Sequence, residues 1–326
     1  MHARVQQISE RVAPWAAAAP LRVAVLIPCL NEARTVGQVV ADFRAVLPDA
    51  RIYVFDNGSS DGTAEVAAEA GAVVRREPRA GKGHVVRRMF ADVDADVYVL
   101  VDGDATYQAA AATEMVQMLV GQQLDMVVGC RDSEAEAAYR TGHRFGNAML
   151  TGFLTRVFGT GFSDLLSGYR VLSRRFVKTF PCLSAGFEIE TEMAVHALTL
   201  ELPCGEMRTT YGARPEGSAS KLRTYSDGFR ILGTMLGLLR QEKPAQFFGI
   251  TGAVIALVAV MLALPLVHTY VTTGLVPRFP TAILCTGLMI IALLTLCCGL
   301  ILDSVARSRM EARRLAYLRW DAPRAG

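Results

Sequence analysis

The sequence lacks several patterns that would assign it to common classes of protein. Its seven cysteines include no Cys-x-x-Cys pair, so we expect reduced structural thiols rather than disulfides or a zinc site. No GxxxxGK[ST] segment occurs, which excludes a P-loop. The net charge of +3 is too small to indicate nucleic-acid binding. The first residues carry no long apolar segment, since Ala16–Ala19 is too short for a signal-peptide core, and we expect no secretory signal.

Charged residues are also missing from two long runs near the C-terminal end. Phe247–Val267 and Phe279–Leu302 contain no charge, and a bilayer core requires about 20 apolar residues as a helix. Buried core helices of this length would carry charges at intervals, so both runs predict membrane spans. The residues 268–278 between the two runs contain one arginine, whereas several basic residues flank the pair. They are Arg230, Arg240, Lys243, Arg307, Arg309, Arg313, Arg314 and Arg319.

The distribution of these basic residues predicts the orientation of the chain. Basic residues accumulate on the cytoplasmic side of membrane spans, so both flanks and the domain before them are expected in the cytoplasm. The predicted localisation is therefore the cell membrane, with two passes and the preceding domain in the cytoplasm. We interpret the flanking arginines as anchors that face lipid.

Short β-branched runs alternate with helical stretches from Arg22 onward. Strands are predicted over 23–27, 52–55, 97–101 and 126–128, and helices over 31–46, 63–70 and 109–120. Continuous apolar strands separated by helices are typical of a parallel sheet covered on both faces. Ligands bind beyond the carboxyl ends of the strands in such sheets. We therefore expect chemistry near Pro28, Asp56, Asp102 and Arg131.

Two later stretches have apolar residues at helical spacing beside arginines. These are residues 145–158 and 229–239, and such helices can lie in the membrane interface, where arginine meets lipid phosphate. For the first stretch, an ordinary amphipathic helix packed on the sheet is an equal alternative. The second runs almost directly into the first apolar run, which favours the interface.

Asp102-Gly103-Asp104 follows an apolar strand. Residues two apart on an extended chain project to the same side, so both carboxylates can meet one cation. Carboxylate oxygens suit Mg²⁺ or Mn²⁺, either of which would also hold a diphosphate. A solvated Asp-Gly turn is the alternative interpretation.

Other polar segments leave two interpretations open. Asp56 ends a strand and can accept hydrogen bonds from a base or ribose, although its segment also resembles a common turn and helix cap. Lys82, between two glycines, can bring a cation near phosphate. The acids Glu188, Glu190 and Glu192 alternate, which fits either a solvated helix start or a catalytic role for one of them.

Together with Ile27-Pro28-Cys29-Leu30-Asn31-Glu32, these segments resemble the family 2 glycosyltransferases. The resemblance is to the polyprenyl-phosphate branch typified by dolichol-phosphate mannosyltransferase and bacterial undecaprenyl-phosphate glucosyltransferases, and it covers Val23–Gln246. It implies a GT-A-type nucleotide-sugar-binding α/β domain with a mostly parallel sheet. The expected organisation is an N-terminal extension (1–21), the catalytic domain (22–222), an amphipathic interface helix (223–245), two transmembrane helices (246–302) and a basic cytoplasmic tail (303–326).

The resemblance also implies roles for individual residues. The donor nucleotide would meet Pro28, Asn31, Glu32 and Asp56, to which we add Lys82 and Asp102, and the metal would meet Asp102 and Asp104. The acceptor phosphate would meet Arg131, Arg144, Asn147, Ser167, Arg170, Arg214, Ser220 and Lys221. The catalytic set would be Asp102, Asp104, Arg131 and Arg144. Cys130 stands where the branch has Ser, and Thr106-Tyr107 stand where a Gln is common, which leaves the third metal ligand open.

The activity that the resemblance implies is inverting transfer of a hexose, glucose or mannose, from a UDP- or GDP-hexose to a polyprenyl phosphate. Mg²⁺ or Mn²⁺ would be the cofactor, and the cytoplasmic membrane face the location. Three alternatives stay open: another lipid or glycan acceptor, a non-catalytic nucleotide-sugar-binding protein, and a channel component. Intact Asp102 and Asp104 argue against the second, and spans without ionisable residues argue against the third. The sequence leaves open the sugar, the nucleotide, the carrier lipid and whether the chain forms a homo-oligomer.

Overall fold

The computed structural model describes residues 20–131, 162–186, 188–212 and 239–323, together with residues 152, 233, 236 and 237. Most of the two predicted interface helices lies outside the described residues. The strands are β1 (Val23–Cys29), β2 (Arg51–Asp56), β3 (Val73–Arg76), β4 (Val97–Leu100), β5 (Met126–Arg131), β6 (Arg170–Ser173) and β7 (Cys204–Thr209). The helices are α1 (Val36–Val46), α2 (Thr63–Glu69), α3 (Lys82–Asp92), α4 (Ala111–Gly121), α5 (Arg174–Thr179), α6 (Ile189–Leu200), α7 (Pro244–Thr273) and α8 (Phe279–Tyr317).

The strands form one seven-stranded sheet in the order β3-β2-β1-β4-β6-β5-β7. All neighbouring pairs are parallel except those of β6, which is antiparallel to both β4 and β5. Arg170 at the start of β6 lies opposite Leu100 of β4 and Val128 of β5. The predicted mostly parallel sheet is confirmed. Because β6 runs in the opposite direction, its first residues lie at the edge where β4 and β5 end.

Both faces of the sheet are buried, as the uninterrupted apolar strands predict. Leu26, Tyr98 and Leu172 pack under helices α3, α5 and α6. Neighbouring strand residues such as Val25 and Val99 point the other way, against α1 and α4. Each fully buried side chain of this size contributes about 1.5–3 kcal/mol. Burial of both faces therefore fixes the register of the strands, and with it the positions of the strand ends.

Helices α7 and α8 are long and apolar enough to cross a membrane. They pack antiparallel through small residues: Gly252 approaches the main chain of Ala292, and Gly299 approaches Phe248. The rest of their surfaces is largely exposed. At about 1.5 Å per residue, the 39 residues of α8 extend far beyond a bilayer core of about 30 Å.

The end of α8 packs against the α/β domain. The Tyr317 hydroxyl donates to Asp125 Oδ2 at 2.8 Å, and the Arg175 guanidinium lies 4.8 Å from the centre of the Tyr317 ring. Trp320, just after the helix, has the Arg174 guanidinium 5.1 Å from its ring. The predicted tail at 303–326 is thus helical as far as Tyr317 and carries contacts to the domain.

Several arginines of this helix pair with protein groups. Arg313 Nη1 lies 3.1 Å from Glu242 Oε1, and Arg309 donates to the Gln241 carbonyl at 3.1 Å. Arg314 Nη2 lies 3.5 Å from Glu201 Oε2. These arginines therefore have protein partners, and their role as lipid-facing anchors stays a prediction. They join α8 to neighbouring parts of the chain, which the charge pattern alone did not indicate.

Candidate active site

The ends of β1, β2 and β4 bring the predicted donor residues to one edge of the sheet. Pro28 lies opposite Phe55, next to Asp56 at the end of β2. The turn 102–104 follows β4, and the Thr35 hydroxyl donates to the Gly103 carbonyl at 2.7 Å. A side chain on Gly103 would collide with Cys29, so the turn lies directly against the end of β1.

The loop after β1 is tied to the loop after β2. The Asn31 main-chain N–H donates to Ser59 Oγ at 2.8 Å, and Asn31 Oδ1 accepts from the Ser60 N–H at 2.9 Å. The Glu32 N–H donates to Thr63 Oγ1 at 2.9 Å. Asn31 has a positive φ of 52°, which asparagine tolerates better than most residues. The structure therefore brings Pro28, Asn31, Glu32 and Asp56 to adjoining loops, and their role in donor binding stays a prediction.

Asn57 is a positioning residue that the sequence interpretation treated only as part of a turn. Its Nδ2 donates to the carbonyls of Glu77 and Arg79 at 2.9 and 2.7 Å. Its Oδ1 accepts from the Gly81 N–H at 2.8 Å. These bonds join the end of β2 to the loop that precedes α3. Because Lys82 is the first residue of α3, these hydrogen bonds of Asn57 help to position Lys82.

Lys82 is buried between two carboxylates. Its Nζ lies 2.5 Å from Asp102 Oδ1 and 2.6 Å from Glu190 Oε1, and its side chain is 9% exposed. Burial by itself lowers the pKa of Lys82, but the charges of Asp102 and Glu190 outweigh burial and raise the pKa above its usual value. Lys82 is therefore an ammonium ion at neutral pH and supplies a fixed positive charge beside Asp102.

Glu190 and Glu192 are buried, with 4% and 7% exposure. Glu192 accepts the main-chain N–H groups of Leu183 and Ser184, both at 2.7 Å. The interpretation of these acids as a solvated helix start is corrected, because α6 packs beneath the sheet rather than in water. Glu190 differs from Glu192 in its contact with Lys82, and only the tertiary structure shows that contact.

Asp104 ends the turn 102–104, which begins at Asp102, and is 3% exposed. Its Oδ1 accepts from Thr106 Oγ1 at 2.6 Å and from the Thr106 N–H at 3.2 Å. The intervening Ala105 has a positive φ of 57°. Thr106, which stands where a glutamine was expected, thus orients the Asp104 carboxylate.

Arg131, at the end of β5, forms a bidentate ion pair with Asp164. The Nε–Oδ2 and Nη2–Oδ1 distances are both 2.7 Å, and the guanidinium also lies 5.5 Å from the centre of the Tyr211 ring. Burial raises the pKa of Asp164, but the hydrogen bonds from Arg131 outweigh it and lower the pKa below its usual value. The pair therefore fixes the direction of the Arg131 side chain.

Comparison with known proteins identifies the family. A sequence profile for Glycosyl transferase family 2 matches residues 24–180. Glycosyltransferase AglJ of Haloferax volcanii is 34% identical over 258 residues, which are 78% of this chain and 84% of that protein. The chain belongs to glycosyl transferase family 2. Protein RfbJ of Shigella flexneri is also similar, at 56% identity over 123 residues, covering 37% of this chain and 95% of RfbJ.

Solved structures confirm the GT-A type of fold. Glucosyl-3-phosphoglycerate synthase from Mycobacterium tuberculosis, in complex with Mn²⁺, UDP and glucosyl-3-phosphoglycerate, superposes with a TM-score of 0.54 at 21% identity. The match covers 68% of this chain and 80% of that one. The predicted family and fold class are both confirmed, and the chain is a glycosyltransferase.

The carboxylates of this family 2 site fit a divalent cation. Asp102 and Asp104 provide hard oxygen ligands on one turn, and the residues that the structure describes contain no group of three or more His, Cys, Asp or Glu that could hold a metal. Mg²⁺ commonly takes one or two protein carboxylates and completes its shell with phosphate oxygens and water. The donor set therefore suits an ion shared with a diphosphate, and the third protein ligand stays open.

Gly168 lies against the Asp102 carboxylate. A methyl group on Gly168 would lie closer to Asp102 Oδ2 than non-bonded atoms approach. The Gly168 N–H also donates to the Tyr107 hydroxyl at 3.1 Å, which holds this glycine in place. The space around the Asp102 carboxylate is therefore limited by the Lys82 ammonium and by Gly168.

Replacing Gly168 with alanine is expected to lower the rate of sugar transfer about 10- to 100-fold, because the Asp102 carboxylate must move by a fraction of an ångström to about one ångström. The variant should also need more metal for half-maximal rate. The matched control is Gly121→Ala in α4, where an added methyl meets nothing within 4 Å. Transfer rates measured over a Mn²⁺ titration test this; equal rates for both variants would contradict it.

Ser167 and Arg170 lie inside the domain, both at 0% exposure. Ser167 Oγ donates to the Gly129 carbonyl at 2.5 Å. Arg170 donates to the carbonyls of Ser167 and Leu165 at 3.1 and 2.7 Å. These contacts stabilise the turn before β6, and as a correction we leave both residues out of the acceptor-phosphate set. The other predicted members Arg144, Asn147, Arg214, Ser220 and Lys221 lie outside the described residues.

Proposed function

We propose that this family 2 glycosyltransferase transfers a hexose, glucose or mannose, from UDP- or GDP-hexose to a polyprenyl phosphate at the cytoplasmic membrane face. The observation that carries the proposal is the continuity of α8. One helix contains an apolar run long enough to span a bilayer and ends against the catalytic domain through Tyr317. A catalytic domain tied to a membrane helix in this way meets acceptors that are confined to the membrane surface.

The strand-end edge supports a nucleotide-sugar donor. Asp56, Asn31 and Glu32 lie at the carboxyl ends of parallel strands, where α/β sheets bind nucleotides. The similar M. tuberculosis structure is a complex with UDP and Mn²⁺. We assign the base and ribose to this loop pair and the diphosphate to the side of Asp102 and Lys82.

Asp102 and Asp104 would hold the divalent cation, which would offset the negative charge that develops on the leaving diphosphate. Two positively charged side chains of the protein would also offset the charge on the leaving diphosphate. Lys82 contributes a positive charge in a buried position, where electrostatic interactions are stronger than in water. Arg131, oriented by Asp164, presents a guanidinium at the neighbouring strand end.

A phosphate acceptor changes what the site must supply. A phosphate monoester is already an anion at neutral pH, so the reaction depends on holding two anions in line more than on a strong general base. We propose that the predicted residues beyond the described ranges hold the acceptor phosphate by charge-assisted hydrogen bonds. They are Arg144, Asn147, Arg214, Ser220 and Lys221. A single displacement at the anomeric carbon then inverts its configuration.

The proposal is tested with the full chain in lipid nanodiscs. Radiolabelled UDP-glucose, UDP-galactose and GDP-mannose are each supplied with Mn²⁺ and either undecaprenyl or dolichyl phosphate, and lipid products are extracted. We expect one donor to label a polyprenyl-phosphate hexose, with one nucleoside diphosphate released per sugar transferred. The label should disappear when EDTA removes the metal.

Agl6 of Haloferax volcanii, named as a low-salt glycan biosynthesis hexosyltransferase, is 33% identical over 253 residues, which are 74% of this chain and 59% of that protein. A glycan-bearing lipid is therefore included as a competing acceptor. Label that enters only the glycan-bearing lipid, with none on polyprenyl phosphate, would overturn the proposed acceptor and leave the glycosyltransferase assignment in place.

A further inference from the structure

Lys82 lies between Asp102, a ligand of the proposed cation site, and a carboxylate from a different part of the chain. Glu190 belongs to α6, more than 80 residues further along, and its side chain is 5% exposed. The Lys82 Nζ reaches Asp102 Oδ1 at 2.5 Å and Glu190 Oε1 at 2.6 Å at the same time. The Lys82 ammonium can therefore lose its contact with Asp102 and keep its contact with Glu190 without a change of side-chain rotamer.

Glu190 contributes a negative charge next to the Lys82 ammonium. Asp102 and Asp104 carry two negative charges, which match one divalent cation. The positive charge of Lys82 offsets one of those negative charges, and the negative charge of Glu190 brings the net charge of the four side chains back to that of two carboxylates. A cation that binds Asp102 and the ammonium of Lys82 compete for the same carboxylate, because like charges repel strongly where little water screens them.

We propose that Glu190 is a positioning residue that holds the Lys82 ammonium when Asp102 binds a divalent cation. Glu190 thereby keeps both positive charges in one site, the cation on Asp102 and Asp104 and the ammonium within reach of the donor diphosphate. The inference rests on the proposed function in that it concerns the same donor and metal site. It adds a role for α6, which the established family membership does not assign.

Glu192 shows what a purely structural acid does on the same helix. Its two oxygens accept the N–H groups of Leu183 and Ser184, both at 2.7 Å. That segment packs on the start of α3, where the Gly83 N–H donates to the Ala185 carbonyl at 3.0 Å. Loss of Glu192 therefore disturbs the same region of the fold without changing the charges next to Asp102, which makes Glu192→Gln the matched control.

The test measures Mn²⁺ binding by electron paramagnetic resonance on the full chain in detergent, without donor or acceptor. Glu190→Gln is expected to weaken Mn²⁺ binding about tenfold, because Lys82 then loses the Glu190 carboxylate and its positive charge acts more strongly on Asp102. Lys82→Gln is expected to tighten it by about the same factor, a gain that misfolding cannot produce. Glu192→Gln should stay within about twofold of wild type, and Glu190→Asp should recover part of the affinity lost in Glu190→Gln.

The double variant Lys82→Gln with Glu190→Gln has the same net charge in the cluster as wild type, and its Mn²⁺ affinity should return close to the wild-type value. Unchanged binding in Glu190→Gln, or equal weakening in Glu190→Gln and Glu192→Gln, would overturn the inference. Thermal unfolding of each variant shows whether weakening follows lost stability. Because no sugar or lipid is present, a wrong acceptor in the proposed function would leave this order of affinities intact.

Discussion

Asp104→Asn is expected to reduce sugar transfer about 100-fold or more while the protein stays folded and membrane-bound. Asparagine keeps the shape of the side chain and an oxygen that can accept from Thr106, whose hydroxyl lies 2.6 Å from Asp104 Oδ1. The lost negative charge weakens the hold on the cation, and with it the offset of charge on the leaving diphosphate. Steady-state transfer rates over a Mg²⁺ and Mn²⁺ titration measure the effect.

The control is Asp42→Asn, which makes the same chemical change on an exposed face of α1, where Asp42 accepts only a hydrogen bond from Gln38 in the described contacts. That variant should transfer sugar at the wild-type rate. Near-normal turnover of Asp104→Asn at limiting metal would show that Asp104 does not take part in metal binding. Circular dichroism and membrane flotation establish that each variant is folded and anchored.

Removal of residues 247–326 is expected to abolish membrane anchoring and to lower transfer to a membrane-embedded polyprenyl phosphate about 100-fold. The physical reason is the loss of effective concentration, because the acceptor is confined to the bilayer and the domain no longer is. Donor binding should persist, since the strand-end edge lies wholly before the deleted segment. Flotation, nucleotide binding and transfer to long-chain and short detergent-soluble acceptors measure these effects separately.

The deletion also removes the contact between α8 and the catalytic domain, and a full-length variant separates the two effects. Tyr317→Phe keeps the ring that the Arg175 guanidinium covers but loses the hydrogen bond to Asp125. It should lower the stability of the domain by about 1 kcal/mol and keep transfer to the lipid acceptor near the wild-type rate. A truncated chain that matched full length on embedded acceptor would contradict the anchoring role of α7 and α8.

Local patterns predicted the elements whose cause is local. The continuous apolar strands at the start of the chain indicated buried parallel strands, and β1, β2, β4 and β5 appear where expected. The strands β3, β6 and β7 were not predicted. Of these, β3 and β6 have only four residues, which carry too little periodicity to separate a strand from a loop. The reversal of β6 depends on pairing with β4 and β5, which no local pattern specifies.

The residues of the candidate site also fall into two groups: those that local sequence patterns predicted and those that only the tertiary structure placed. The sequence by itself placed Asp102, Asp104 and Asp56 at strand ends and the membrane helices at apolar runs, because strand alternation and helix length follow from neighbouring residues. The tertiary structure alone decided that Lys82 lies between Asp102 and Glu190, that Arg170 is buried against main-chain carbonyls, and that α8 ends against Asp125. These contacts join residues far apart along the chain, so they depend on how the layers pack, and packing is a property of the whole fold.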